Sequence, residues 1–303
     1  MSRQPLTKAV LILGLMAVAS LFAWIPANAQ DDAETMAKKS FNEGISQMQQ
    51  GNNDLAVTSF RAAIQGDPNF VDAYLNLGVV YYQSRMYDEA LEQFQKVVEL
   101  DKNNIDGFAN LGLVQNKLRR RPEAVEAFQA ALAIDPNNTM VLKELGKVQY
   151  VQKDYNGAIA SFEKCHAAGG GDASTYYYEG RSYSRAGDDA KAVAMLREAI
   201  KLEPDYYNAH FALGQIFLGQ EKYSSAAASF KSALKASPGK AKAAYNYAVA
   251  VESENQDNID ANVSNWEAYI RLAKKDPKEK SNLAIAEQHV SDLKERKEKM
   301  KFE

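Results

Sequence analysis

Apolar side chains along this chain recur three and four residues apart in short runs, and breaks rich in glycine, proline and amides separate the runs. Between Ala37 and Gln49 the spacing predicts a helix, punctuated by Gly51-Asn52-Asn53. A second helix is expected from about Asp54 to Gln65, where Gly66-Asp67-Pro68 stops it. The pattern then starts again. Gly44, Gly78, Gly112, Gly146, Gly180 and Gly214 each stand 34 residues after the last. Ala56, Ala90, Ala124, Ala158, Ala192 and Ala226 keep the same period. So do an aromatic or leucine column (Phe60, Phe94, Phe128, Phe162, Leu196, Phe230) and a small-residue column (Ala63, Val97, Ala131, Cys165, Ala199, Ala233). Small residues in two of these columns are expected to let paired helix backbones approach to about 8–10 Å or less. The Phe column is expected to fill the space between neighbouring pairs. One pair cannot bury its apolar face alone, so the pairs must stack.

Four columns held at this period resemble the tetratricopeptide repeat (TPR), a helix–turn–helix unit, over residues 37 to 277. The resemblance implies an all-α superhelix, an α-solenoid of six regular repeats: 37–70, 71–104, 105–138, 139–172, 173–206 and 207–240. A degenerate seventh follows at 241–277, with Ala248 in the glycine column. Trp266 and Tyr269 fall later than the period predicts, so an insertion of a few residues is expected around Asn255 to Asn262, and Pro277 closes the unit. The turn proline is present at Pro68, Pro136, Pro204 and Pro238, whereas Lys102 and Gly170 replace it. Gly169-Gly170-Gly171 therefore predicts the loosest junction between repeats four and five. No Gly-Lys-Ser/Thr follows those glycines, which argues against a phosphate-cradling loop. Over 278–303, Leu283, Ala286, Val290, Leu293 and Met300 form a stripe on an otherwise charged helix. It reads as a cap over the last repeat, with Lys294–Glu298 and Glu295–Lys299 pairs facing solvent.

The amino terminus has a different character. Arg3 and Lys8 precede a charge-free run from Ala9 to Ile25, Pro26 ends it, and Ala27-Asn28-Ala29 suits a signal peptidase. Residues 1–29 therefore read as a cleavable signal peptide and 30–36 as a short lead-in. An uncleaved anchor is the competing reading, since the apolar run is near the minimum length for spanning. Cleavage before Gln30 predicts a periplasmic or secreted protein, and the loss of two cations would take the net charge from -3 to -5. An acidic balance of 36 Lys+Arg against 39 Asp+Glu argues against a nucleic-acid partner. Membrane association is expected only through partners.

Candidate chemistry is sparse. The single cysteine, Cys165, occupies the small-residue column and reads as a buried structural thiol. His166 beside it lies on another face with no third group to complete a triad, and His210 falls in an aromatic core column with Tyr74, Phe108, Leu142 and Tyr176. The three histidines are too scattered for a metal motif, so no metal, no cofactor and no enzymatic activity are expected.

The TPR resemblance implies that the first helix of each pair lines a concave surface, with positions 2, 5, 9, 12 and 13 facing a ligand. Carried onto this chain, that register places Lys117, Lys143, Lys147, Tyr150, Tyr177, Arg181 and Arg185 along repeats three to five as the leading groove candidates. A secondary set, more apolar, is Phe41, Leu75, Asn76, Val79, Tyr82 and Asn110. The carboxylate clamp of chaperone-binding members needs Lys at position 5 with Asn at position 9, and no repeat here has that pair. The resemblance thus implies a scaffold binding a protein or peptide segment in a cell-envelope assembly, and the cationic wall would suit an acidic one. The alternative is a receptor for an anionic small molecule or cell-wall glycan, using the Tyr, Lys and Arg wall.

Overall fold

A computed structural model describes residues 27–301, all of whose regular structure is helical. Six regular hairpins pair α1 (Ala27–Gln49) with α2 (Asn53–Gly66), α3 (Val71–Gln83) with α4 (Tyr87–Leu100), and α5 (Ile105–Lys117) with α6 (Arg121–Ile134). They continue with α7 (Thr139–Gln152) and α8 (Tyr155–Ala167), α9 (Ala173–Ala186) and α10 (Asp189–Leu202), and α11 (Tyr207–Gly219) and α12 (Tyr223–Ala236). A seventh pairs α13 (Ala241–Glu254) with α14 (Ile259–Ala273), and a 3-10 turn at Pro277–Glu279 leads into α15 (Lys280–Lys299). The described residues divide into two compact units, one ending at Lys102 and one starting at Asn103. In the first, α2 packs on α3; in the second, α6 packs on α7, α8 on α9, α10 on α11 and α12 on α13. No helix among the described residues is long and apolar enough to cross a membrane. The leader expected at 1–29 lies outside the described residues except for its last three, which open α1.

Inside a hairpin the two helices close on the glycine column. A Cβ on Gly44, Gly78, Gly112, Gly146 or Gly214 would fall 2.5–2.7 Å from a ring carbon of Phe60, Phe94, Phe128, Phe162 or Phe230. The Phe column therefore sits on the glycine of its own pair, because glycine leaves a recess of ring thickness. It also reaches the next pair: Phe128 shares a core cluster with Val141, Leu145 and Val148 of α7, and Phe230 with Ala250 of α13. In the fifth hairpin the same recess takes Leu196, whose Cγ would lie 2.9 Å from a Cβ on Gly180. The alanine column, Ala56 to Ala226, is wholly buried.

Between the helices of each hairpin the chain turns on a further column. Gly51, Arg85, Arg119, Lys153, Gly187 and Glu221, again 34 apart, have φ between 58° and 93°. The next N–H reaches back five residues, as in Met86 N to Tyr81 O at 2.9 Å and Arg120 N to Gln115 O at 2.8 Å. This Schellman closure satisfies the last carbonyls of the first helix.

At the ends some expectations change and one sharpens. The lead-in at 30–36 is helical and belongs to α1. Nothing between Gln30 and Ala37 breaks a helix, Glu34 and Lys38 pair at 2.6 Å one turn apart, and the Ala33 carbonyl and Ala37 pack against Gly66 at the end of α2. In the seventh hairpin α13 and α14 begin 18 residues apart, where α11 and α12 begin 16 apart. The insertion is thus two residues, after which the columns resume with Asn262 for alanine, Trp266 for Phe and Tyr269 for the small residue, all buried. On α15, Ala286, Val290 and Leu293 are buried and Leu283 packs beside them, but Met300 is exposed and falls outside the stripe. Glu295 and Lys299 pair as expected at 2.7 Å. Lys294 instead reaches Glu267 at 2.8 Å, leaving Glu298 to Lys301, because α14 offers a carboxylate nearer than the next turn.

Candidate peptide-binding face

In the unit that starts at Asn103, first helices of successive hairpins also touch one another: α5 with α7, α7 with α9, α9 with α11 and α11 with α13. They form the inner layer of that unit, and their outward positions share one face. On α7, on α9 and at the start of α11 this face carries a file of tyrosines. Tyr150 lies 5.6 Å from Tyr178, Tyr178 lies 5.2 Å from Tyr177, and Tyr177 lies 5.6 Å from Tyr206, each pair edge-to-face. All four are half-buried, and desolvation raises the hydroxyl pKa values of Tyr177 and Tyr178.

The basic residues around the file are partly neutralised. Lys143 Nζ pairs with Asp172 Oδ2 at 3.1 Å, and Lys147 Nζ with Glu144 Oε1 at 2.8 Å. Burial alone would raise the Asp172 pKa, but hydrogen bonds from the Thr175 hydroxyl and backbone, with Lys143, outweigh it and hold the carboxyl at about 2. Asp172 and Thr175 together form the capping box that starts α9. Lys147 also lies over the Tyr178 ring at 6.0 Å. Arg181 donates from Nη1 to Gln215 Oε1 at 3.2 Å, bridging α9 to α11. Beyond it, Arg181, Ser184, Arg185, Asp189, Gln215 and Ile216 line an open cleft of about 290 Å3. The wall expected from sequence is therefore mixed: carboxylates meet the two lysines, and the arginines stand at the cleft.

Of the leading candidates, Lys143, Lys147, Tyr150, Tyr177, Arg181 and Arg185 lie on the two adjacent helices α7 and α9, while Lys117 is exposed at the end of α5. Tyr178, Tyr206 and Glu144 were missed because they stand off the ligand positions of the register; four tyrosines within Tyr176–Tyr183 were the available signal. In the secondary set, Phe41 is packed against Phe70 at 4.9 Å and Phe60 at 5.7 Å, so its ring serves the hairpin. Leu75, Val79 and Tyr82 are half-buried on α3, with Tyr82 edge-on to Tyr87 at 5.6 Å. Asn76 and Asn110 each donate to the carbonyl four residues back, Asp72 and Asp106. Asn110 lies in a different unit from the other five.

The remaining titratable candidates resolve into packing roles. Cys165 is buried, its thiol pKa pushed up by desolvation and its Sγ 3.4 Å from the Thr139 carbonyl oxygen. His210 is half-buried rather than core: its Nε2 sits 2.8 Å from the Pro204 carbonyl, as the Tyr74 hydroxyl sits 3.2 Å from that of Pro68. Each ties the first helix to the turn before it. His166 contacts the buried carboxylate of Glu179 at 2.7 Å.

No curated protein is similar to the chain at a significant level. Among solved structures, the C-terminal part of a TPR repeat-containing protein from Cytophaga hutchinsonii superposes with a TM-score of 0.66 at 19% identity, over 80% of this chain and 99% of that one. Pseudomonas aeruginosa PilF gives 0.58 at 20% identity, over 72% and 96%. YrrB, described as a TPR protein with an unusual peptide-binding site, gives 0.53 at 26% identity, over 60% and 94%. The tetratricopeptide repeat profile matches residues 41–105, 110–173, 177–241 and 216–258, most of the hairpins described above. With a 34-residue hairpin closed on a glycine column and stacked first helix to first helix, the chain belongs to the tetratricopeptide repeat family, whose members bind protein and peptide partners and are typically non-catalytic.

Proposed function

We propose that this TPR protein is an exported scaffold that holds an extended peptide or protein segment across α7, α9 and α11, in an assembly of a bacterial cell envelope. The observation that carries this reading is the file Tyr150–Tyr178–Tyr177–Tyr206, with Lys147 on one flank and Arg181 on the other. Half-buried tyrosines bury ring area at small entropic cost, and their hydroxyls serve a backbone. An open cleft between the fifth and sixth hairpins, next to the tyrosine file, suits a chain segment, whereas a small ligand calls for closure. The peptide-binding description of YrrB favours the same use of the fold.

Export rests on the leader pattern at 1–29. Protein made with its native leader is expected to have the intact mass of a chain beginning at Gln30. Recovery of the full-length chain in the membrane fraction would overturn cleavage. For binding, a photo-crosslinking residue placed at Tyr178 should capture a defined protein from envelope extract, while one placed at Lys164, exposed on α8, should not. Equal capture from both positions would move the site off this face. A captured small anionic compound in place of a protein would favour the receptor reading.

A further inference from the structure

In the unit that starts at Asn103, neighbouring hairpins meet through two recurring columns: one late in each second helix and one in the middle of the next first helix. They hold Leu132 with Leu145 and Ile200 with Leu213, and the same register positions at the last junction are Leu234 and Tyr247. Leu132 packs in the core cluster of Leu145, and Ile200 in that of Leu213. Between the fourth and fifth hairpins both columns change at once, to His166 and Glu179. Glu179 is 3% exposed, as a leucine there would be.

The two residues find each other. His166 Nε2 lies 2.7 Å from Glu179 Oε2, Nδ1 lies 3.3 Å from the Gly170 carbonyl, and the ring stacks on Tyr176 at 4.1 Å and 15°. The glycine run makes this possible: a Cβ on Gly171 would fall 2.5 Å from Nδ1, and one on Gly170 2.5 Å from the Cβ of Thr139. The junction expected to be loosest is thus closely packed. Both ring nitrogens face acceptors. With Nδ1–H directed at the carbonyl, a second proton must lie between Nε2 and the carboxylate, whichever atom holds it. Remove that proton and two acceptors confront each other in a buried site.

We propose that the His166–Glu179 pair is a pH-sensitive latch between α8 and α9, closed while the pair keeps its proton and weakened when the proton leaves. Every charged group against the ring acts in the same sense: Glu179 on α9 first, then Asp172 at its N-cap, itself tied to Lys143 of α7. The Glu179 hydrogen bond raises the His166 pKa, burial opposes it, and the Glu179 charge and the Gly170 carbonyl add to the rise. A value raised in the folded state gives stability that is fully present below the ordinary histidine range, about 6.5, and is lost as pH rises through the raised value.

The test compares the mature chain with the double variant His166→Leu/Glu179→Leu, which restores both apolar columns and keeps His210 and His289 as a shared background. Between about pH 6 and about pH 9 the melting midpoint of the wild type should fall relative to that of the variant. His166 ring signals in NMR should titrate above the ordinary histidine value. Parallel stability curves, or a His166 that titrates at or below the ordinary value, would overturn the latch. Should the double variant fail to fold, His166→Gln takes its place and must flatten the same slope.

Discussion

Two columns, the recess glycines and the left-handed turn residues, set what single substitutions do. Gly112→Leu would drive a side chain into Phe128 and should cost on the order of 2–4 kcal/mol. Repeats couple mainly to nearest neighbours, so calorimetry should show the melt split into two transitions; one unshifted transition would contradict the packing described. The turn column offers the opposite change. Arg85, Arg119, Lys153 and Glu221 hold φ of 58–67°, which strains an L-residue, whereas Gly51 and Gly187 do not pay it. Each of the four changed to glycine should raise stability by up to about 1 kcal/mol, additively, as read from urea midpoints. The recess glycines were legible in the sequence because six of them recur at one spacing, with only Ala248 replacing them in the seventh hairpin. The turn column was not, since a strained arginine or glutamate carries no mark of its backbone angle.

For whole helices, legibility follows how completely one face is buried. The six regular hairpins were readable because their apolar periodicity is uninterrupted, whereas α1 was read short because its first turns carry charge on most sides. The cap α15 was placed correctly by its Ala286–Val290–Leu293 stripe, but its ion pairs depend on which carboxylates α14 happens to bring near. Those exposed pairs contribute little, being solvated and screened. The cap's contribution is cover: Ala286, Val290 and Leu293 share one cluster with Trp266 and Tyr269. A chain ended at Asp276 should therefore expose the Trp266 indole, whose Nε1 now donates to Glu252 at 2.7 Å. The sequence has two tryptophans, Trp24 and Trp266, so protein lacking the leader reports on this site alone. Its emission should shift to the red and dye binding to apolar surface should rise; unchanged emission would mean that α15 is dispensable as a cover.

Across the molecule, the candidate face was half legible. Its basic and aromatic residues could be placed by register, but register is blind to the neighbours that neutralise them, so Glu144 and Asp172 altered the expected wall. Lys147→Glu with Arg181→Glu should nonetheless weaken binding of a captured acidic partner at least tenfold, about 1.4 kcal/mol, and added salt should weaken the wild type. Circular dichroism should hardly change, since both side chains point away from the hairpin cores. Binding that survives the reversal and ignores salt would move the site to the apolar residues of α3. The His166–Glu179 pair bears on the chain's history as well. Its two halves belong to different repeats, so copying the fourth repeat alone would set a histidine against Leu145, and copying the fifth alone would set a glutamate against Ile200. Either copy would strand a buried polar group. Duplicating or losing one hairpin at an all-apolar junction would strand no such group, whereas these two are expected to be inherited together, with the three glycines between them.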